Sequence, residues 1–253
     1  MSQEQSQQSP HFYDHIDELR RRLMRCLWVF LGGAAACYVF SEKLLEFLRS
    51  PLFKVLPEGQ RHLYFTSLFE NFLTHLKISG YASVFFLSPY FFYEVWRFVS
   101  PGLYGRERKM VLPFVTAATF FFLAGASFAY FVLFPVGFKY FITYGGPTDA
   151  PMLTISSYYD TCLKLMLLFG LAFELPVLVS LLGFLGIVDA RMLRQHRKTA
   201  IIGITVAAAL FAPPDAMSMI MLGVPLVLMY EGSIWVVEWI SKSRKTEKQM
   251  PVL

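Results

Sequence analysis

The chain has 253 residues, 55% of them hydrophobic and 16% charged, with 26 phenylalanines and a mean hydropathy of +0.47. Several apolar runs approach 20 residues, too long for one soluble core, so the pattern is that of a polytopic α-helical membrane protein. The net charge of +5 needs no nucleic-acid partner, because its distribution along the chain accounts for it.

Taken in order, residues 1–14 read as a disordered cytoplasmic N-terminus; their opening, MSQEQSQQSP, is polar and is no secretory signal. Six apolar helices follow, over residues 23–40, 76–98, 110–141, 159–187, 199–211 and 216–239. They make an all-α transmembrane domain spanning 15–241, and 242–253 form a basic cytoplasmic tail. Between the first two helices, EKLLEFLRSPLFKVLP reads as an amphipathic helix and a Pro-bounded turn. This segment is a structured cap lying on the outer surface.

Charge sets the orientation. Arg20, Arg21, Arg22 and Arg25 precede the first helix, and Arg97, Arg106, Arg108 and Lys109 mark the second-to-third loop. Arg191, Arg194, Arg197 and Lys198 mark the fourth-to-fifth loop, and Lys242, Arg244, Lys245 and Lys248 the tail. These are sixteen of the 23 lysines and arginines, and six spans put all four segments on one side. Residues 144–158 and 213–215 carry none. Both termini are therefore expected in the cytoplasm, with the arginine clusters against lipid headgroups.

Helix lengths differ. The third run reaches roughly 45 Å against a hydrocarbon core of about 30 Å, so it must tilt, bend near Pro135 or project. The fifth reaches only about 20 Å before the Pro-Pro-Asp turn folds it back into the sixth. The expected bundle is uneven and concave, with short helices five and six. No internal repeat is visible, which counts against a carrier built on inverted repeats.

No phosphate-binding loop, HExxH or GxSxG is present, and the five histidines show no metal spacing, so neither an enzyme, a cofactor nor a metal is expected. Cys26, Cys37 and Cys162 lie in apolar runs and read as packing residues. The chemistry falls on acids instead. Glu174 sits near the middle of an apolar run, where a carboxylate costs about 3 kcal/mol to insert. Pro176 follows and weakens the turn back to Ala172. Either Glu174 has a functional role, or it only hydrogen-bonds a neighbouring helix. Glu18 precedes Arg22 by four residues on one helical face. Glu107 lies between Arg106 and Arg108, where a carboxylate is ordinarily a locally paired surface acid.

The segments HIDELRRRL, RSPLFKVLP, VWRFVSPGLYGRER, FAYFVLFP, FGLAFELP and APPD occur in the order and at the spacing of the TatC family. The chain resembles that family, the polytopic subunit of the twin-arginine protein translocase, over nearly its whole length. The resemblance implies six helices with both termini cytoplasmic, in the bacterial inner membrane. It implies a receptor for twin-arginine signal peptides in which Glu18 and Glu107 take the two guanidinium groups, Arg20 is an orienting partner and Phe98 offers apolar surface. Paired guanidinium groups are suited to carboxylates in a fixed fork geometry. Pro51 matches the family's outer-cap proline. Glu174 matches an intramembrane glutamate that contacts a polar group on a partner helix of TatA or TatB; a neutral carboxyl can donate one hydrogen bond across such an interface. Asp215 matches an outer acid of the family, though Asp after Pro-Pro is equally a good N-cap. Met219 departs from the pattern, where a polar residue is frequent, and would pack against TatA or TatB.

The family carries folded proteins on the proton-motive force. A folded domain of 100 residues has a radius of gyration of about 13 Å, too large for six helices of this size to enclose, so other subunits and further copies of the chain are implied. The rival reading is a proton-coupled small-molecule transporter using Glu174.

Overall fold

A computed structural model describes residues 10–57, 61–99, 111–144, 152–184, 187–211 and 216–248. Among these every element is helical: α1 (Pro10–Val39), α2 (Ser41–Val55), α3 (Glu70–Phe86), α4 (Ser88–Val99), α5 (Val111–Phe128), α6 (Phe134–Tyr144), α7 (Ile155–Phe173), α8 (Leu175–Phe184), α9 (Ala190–Gln195), α10 (Arg197–Phe211) and α11 (Ala216–Lys248), with a π-helical turn (Ala129–Leu133) joining α5 to α6. Four stretches are long and apolar enough to cross a membrane: Ile16–Val39, Val111–Thr143, Ile155–Phe184 and Met219–Trp239.

The other two expected spans are shorter for physical reasons. The second is broken at Leu87 into α3 and α4. Pro89 has no N–H for the Phe85 carbonyl, and the Ser88 hydroxyl donates to that carbonyl instead, at 2.8 Å. The fifth, α10, has 15 residues and reaches about 22 Å.

Three further differences from the sequence reading concern the ends and the middle. Helix α1 already begins at Pro10, inside the segment read as disordered. The sixth helix is not short: α11 has 33 residues and continues through the basic KSRKTEK run. Lys, Arg and Glu are good helix formers, so the helix outlasts its apolar stripe. The third run stays continuous, but its winding changes to π over Ala129–Leu133, directly before the expected bend at Pro135.

Packing is close where side chains are small, as lipid-embedded helices require. Helices α5 and α7 meet through two glycines. A Cβ on Gly125 would collide with the Phe169 backbone, and one on Gly170 would lie 2.8 Å from the Phe122 ring. Helix α11 is held mainly by α8, where Gly183 faces Val237, and α10 packs chiefly on α11. Large apolar side chains such as Trp28, Phe131, Leu210 and Trp239 are exposed, while Glu70, Ser79, Ser83, Glu94, Glu174 and Ser233 are buried. Such an arrangement suits a lipid solvent.

The cap expected around Pro51 is a helix, α2, with Pro51 inside it and Leu48, Pro51 and Leu52 buried. Pro51 leaves the Phe47 carbonyl without its helical donor. Tyr130, on the π turn, donates its hydroxyl to that oxygen at 2.8 Å. Tyr158 donates to the Leu48 carbonyl at 2.7 Å, and Tyr159 to that of Leu45 at 3.1 Å. A lone parallel bridge, Tyr64 with Thr154, ties the loop after α2 to the start of α7.

Glu70 completes this end. Its carboxylate accepts from the backbone N–H of Ser156 at 2.7 Å, of Thr66 at 2.5 Å and of Ser67 at 3.2 Å. The Thr66 hydroxyl adds a fourth bond at 2.9 Å. The Ser156 and Thr66 amides hold this carboxyl well below the usual range, at about 2.

Candidate functional site

At the end of the bundle opposite α2, a second charged cluster joins α1 to α4. Between Ile16 and Val39 the one buried residue of α1 is an arginine, Arg22. Its guanidinium lies between two carboxylates. On its own helix it bonds Glu18 Oε1 through Nη2, and through Nε at 3.1 Å. Across the interface Nη1 donates to Glu94 Oε2 at 3.1 Å. Glu94 is buried on α4, its side chain 4% exposed. Its other oxygen accepts from Arg25 Nη1 at 3.4 Å and from the Tyr90 hydroxyl at 3.3 Å. Two acids and two arginines thus neutralise one another where a lone buried charge would be prohibitive. The Glu18 side chain is 36% exposed, so it is the outward-facing carboxylate of the set.

The other residues named from sequence fall in several places. Arg20 is exposed. It lies two residues, about 200° of helical turn, from Glu18, to which Arg22 is bonded. Phe98 is half-buried near the end of α4. Glu107 and Asp215 lie outside the described residues. Met219 is half-buried on α11 and lines an apolar groove with Ile204 and Val224. Pro51 is in the cap at the far end.

Glu174 is 5% exposed at the junction of α7 and α8, one turn beyond Gly170. Pro176 breaks the helix there, as its missing N–H requires. The Glu174 N–H bonds the Leu171 carbonyl at 3.2 Å, a tightened turn, and Oε1 is buried with no hydrogen-bond partner.

Sequence reasoning paired Glu18 with Arg22, as the structure does, but passed over Glu94. The signal for Glu94 was the same as for Glu174: a carboxylate within the apolar run 76–98. Its pairing with a residue 72 positions away left no trace in the spacing.

Fold and clusters define a multi-pass α-helical membrane protein with an acid–guanidinium network at one end and a lone glutamate in its interior. A family model described as Sec-independent protein translocase protein (TatC) matches residues 14–225. The TatC of Desulforapulum autotrophicum is 39% identical over 249 residues, covering 98% of this chain and 91% of that one. The TatC of Magnetococcus marinus is 36% identical over 242 residues, covering 96% and 89%. A crystal structure described as the twin arginine translocase receptor TatC superposes with a TM-score of 0.79 at 32% identity, covering 88% of this chain and 97% of its own. A second, in DDM, gives 0.81 at 31% identity, covering 88% and 99%.

The chain belongs to the TatC family of Sec-independent protein translocase components. It is a multi-pass protein of the bacterial inner membrane and a transport subunit rather than an enzyme. The solute-carrier reading of Glu174 is set aside on this ground.

Proposed function

We propose that this chain is the receptor subunit of the twin-arginine translocase, crossing the membrane six times with both termini in the cytoplasm. Residues 15–241 form the membrane domain, flanked by cytoplasmic segments 1–14 and 242–253. Glu18 and Glu107 take the two guanidinium groups of a twin-arginine signal peptide, and Phe98 offers apolar surface beside them. Arg20 is an orienting partner at the same site. TatA and TatB helices dock along the membrane flank through Glu174, Met219 and Asp215, further copies of the chain assemble with it, and the proton-motive force drives export of the folded cargo.

The observation that carries this reading is the state of Glu18. It is a half-exposed carboxylate already gripping a guanidinium from the side. A carboxylate that accepts two N–H groups of one guanidinium has the chemistry to accept those of another. Both solved neighbours are described as a twin arginine translocase receptor. The test is to replace each acid and measure precursor crosslinking in membranes. Glu18→Ala and Glu107→Ala each abolish crosslinking while insertion of the protein stays normal. Precursor bound at wild-type strength by both variants would remove the assignment.

A further inference from the structure

We propose that Glu94 is a positioning residue of this recognition site, acting through Arg22, a resident guanidinium that the cargo arginine must displace from Glu18. The inference rests on the receptor reading above.

Arg22 is shared between two carboxylates of different exposure. Glu18, at 36%, can be reached from outside; Glu94, at 4%, cannot. Both Arg22 bonds to Glu18 fall on Oε1, and a third bond runs inward to Glu94 Oε2. An arginine arriving at Glu18 therefore competes with one already in place. Displacing Arg22 into water is not open to it, since its side chain is 8% exposed and walled by the α1–α4 interface.

Displacement onto Glu94 is open. That carboxylate already holds one Arg22 N–H, and Arg25 and Tyr90 flank its other oxygen. The exchange keeps each carboxylate paired: Glu18 trades one guanidinium for another, and Arg22 keeps Glu94 throughout. No buried charge is left uncompensated, the condition under which breaking such a pair becomes costly. A cargo lysine presents a point charge rather than a planar fork, so its own bond to Glu18 is the weaker one, while the cost of displacing Arg22 is the same for both.

Without Glu94 the Arg22 guanidinium has Glu18 as its sole acidic partner in the cluster, and the binding-competent population falls. Apparent affinity falls with that population.

The test uses the full-length protein in detergent and a fluorescein-labelled synthetic signal peptide carrying Arg-Arg or Lys-Lys, read by fluorescence anisotropy. Glu94→Gln weakens Arg-Arg binding roughly tenfold, about 1.4 kcal/mol. Arg22→Gln, which leaves Glu94 its Arg25 and Tyr90 partners, binds the Arg-Arg peptide at least as tightly as the parent. In the Arg22→Gln background, Glu94→Gln changes affinity by less than about twofold, because no guanidinium remains to be received. Both peptides require the same displacement of Arg22, so the ratio of Arg-Arg to Lys-Lys affinity on one preparation is unchanged in Glu94→Gln, while Glu94→Asp restores the Arg-Arg affinity.

An equal loss from Glu94→Gln in both backgrounds, a loss that Glu94→Asp does not restore, or no loss at all would each overturn the exchange. Glu18→Gln separates the two levels. If it leaves binding intact, the receptor reading itself is wrong; if it abolishes binding while Glu94→Gln does nothing, only the exchange is wrong.

Discussion

Tyr130→Phe isolates the device that lets a proline sit inside the cap helix. Pro51 cannot donate to the Phe47 carbonyl, and the Tyr130 hydroxyl donates in its place at 2.8 Å. Phenylalanine keeps the stack on Phe47, whose ring lies 4.2 Å away at 5°, so the substitution removes the hydroxyl and little else. Tyr130 is 7% exposed, and water is poorly placed to substitute. A buried carbonyl left unpaired costs about 1–3 kcal/mol. The assay is reversible unfolding in mixed micelles by SDS titration. The decisive control is Pro51→Ala, which restores an N–H four residues after Phe47. In that background Tyr130→Phe costs less than about 1 kcal/mol, because the carbonyl has its helical donor again. If the loss is the same in both backgrounds, the hydroxyl is not serving the carbonyl that Pro51 orphans, and the account of the cap is wrong.

The remaining predictions use other parts of the molecule. Glu70 has a folded value of about 2 against an ordinary 4.5, so its contribution is fully present above about pH 4.5 and is lost as pH falls toward 2. Glu70→Gln removes that part of the acid sensitivity, read as thermal midpoint in detergent across this range; an unchanged acid limb would contradict it. Gly125→Val drives a side chain into the Phe169 backbone and lowers stability by about 1–3 kcal/mol, measured by the same SDS titration. At Glu174, Gln keeps a hydrogen-bond donor, so Glu174→Gln is mild in an export assay and Glu174→Leu is worse. Equal and severe loss from both would show that the carboxyl acts through its charge.

Much of this was legible in residue types and little in spacing. The Glu174 break could be read, because a carboxylate in an apolar run followed two residues later by proline has few explanations. The cap helix could be read from its amphipathic pattern, and the short fifth helix from its length. The α3–α4 break was equally written, in Ser88 and Pro89, but the hydrophobic run over 76–98 masked it. The length of α11 was missed because hydropathy ends at Trp239 while helix propensity does not. The tyrosine clamps on α2 and the four bonds to Glu70 lie beyond sequence reasoning. All but the Thr66 hydroxyl use backbone acceptors or donors, which carry no sequence signal, and their partners are brought close only by the fold. Glu94 stands between these cases: its type was a signal, and its pairing with Arg22 was not.

The central claim is that paired carboxylates at one end of the bundle read paired arginines. It is tested most directly by a photocrosslinker at position 107, challenged with a precursor whose signal carries Arg-Arg or Lys-Lys. Strong crosslinking to the Arg-Arg signal and its loss with Lys-Lys is the expected result. Equal crosslinking to both, or none to either in a membrane where the precursor is exported, would contradict the account.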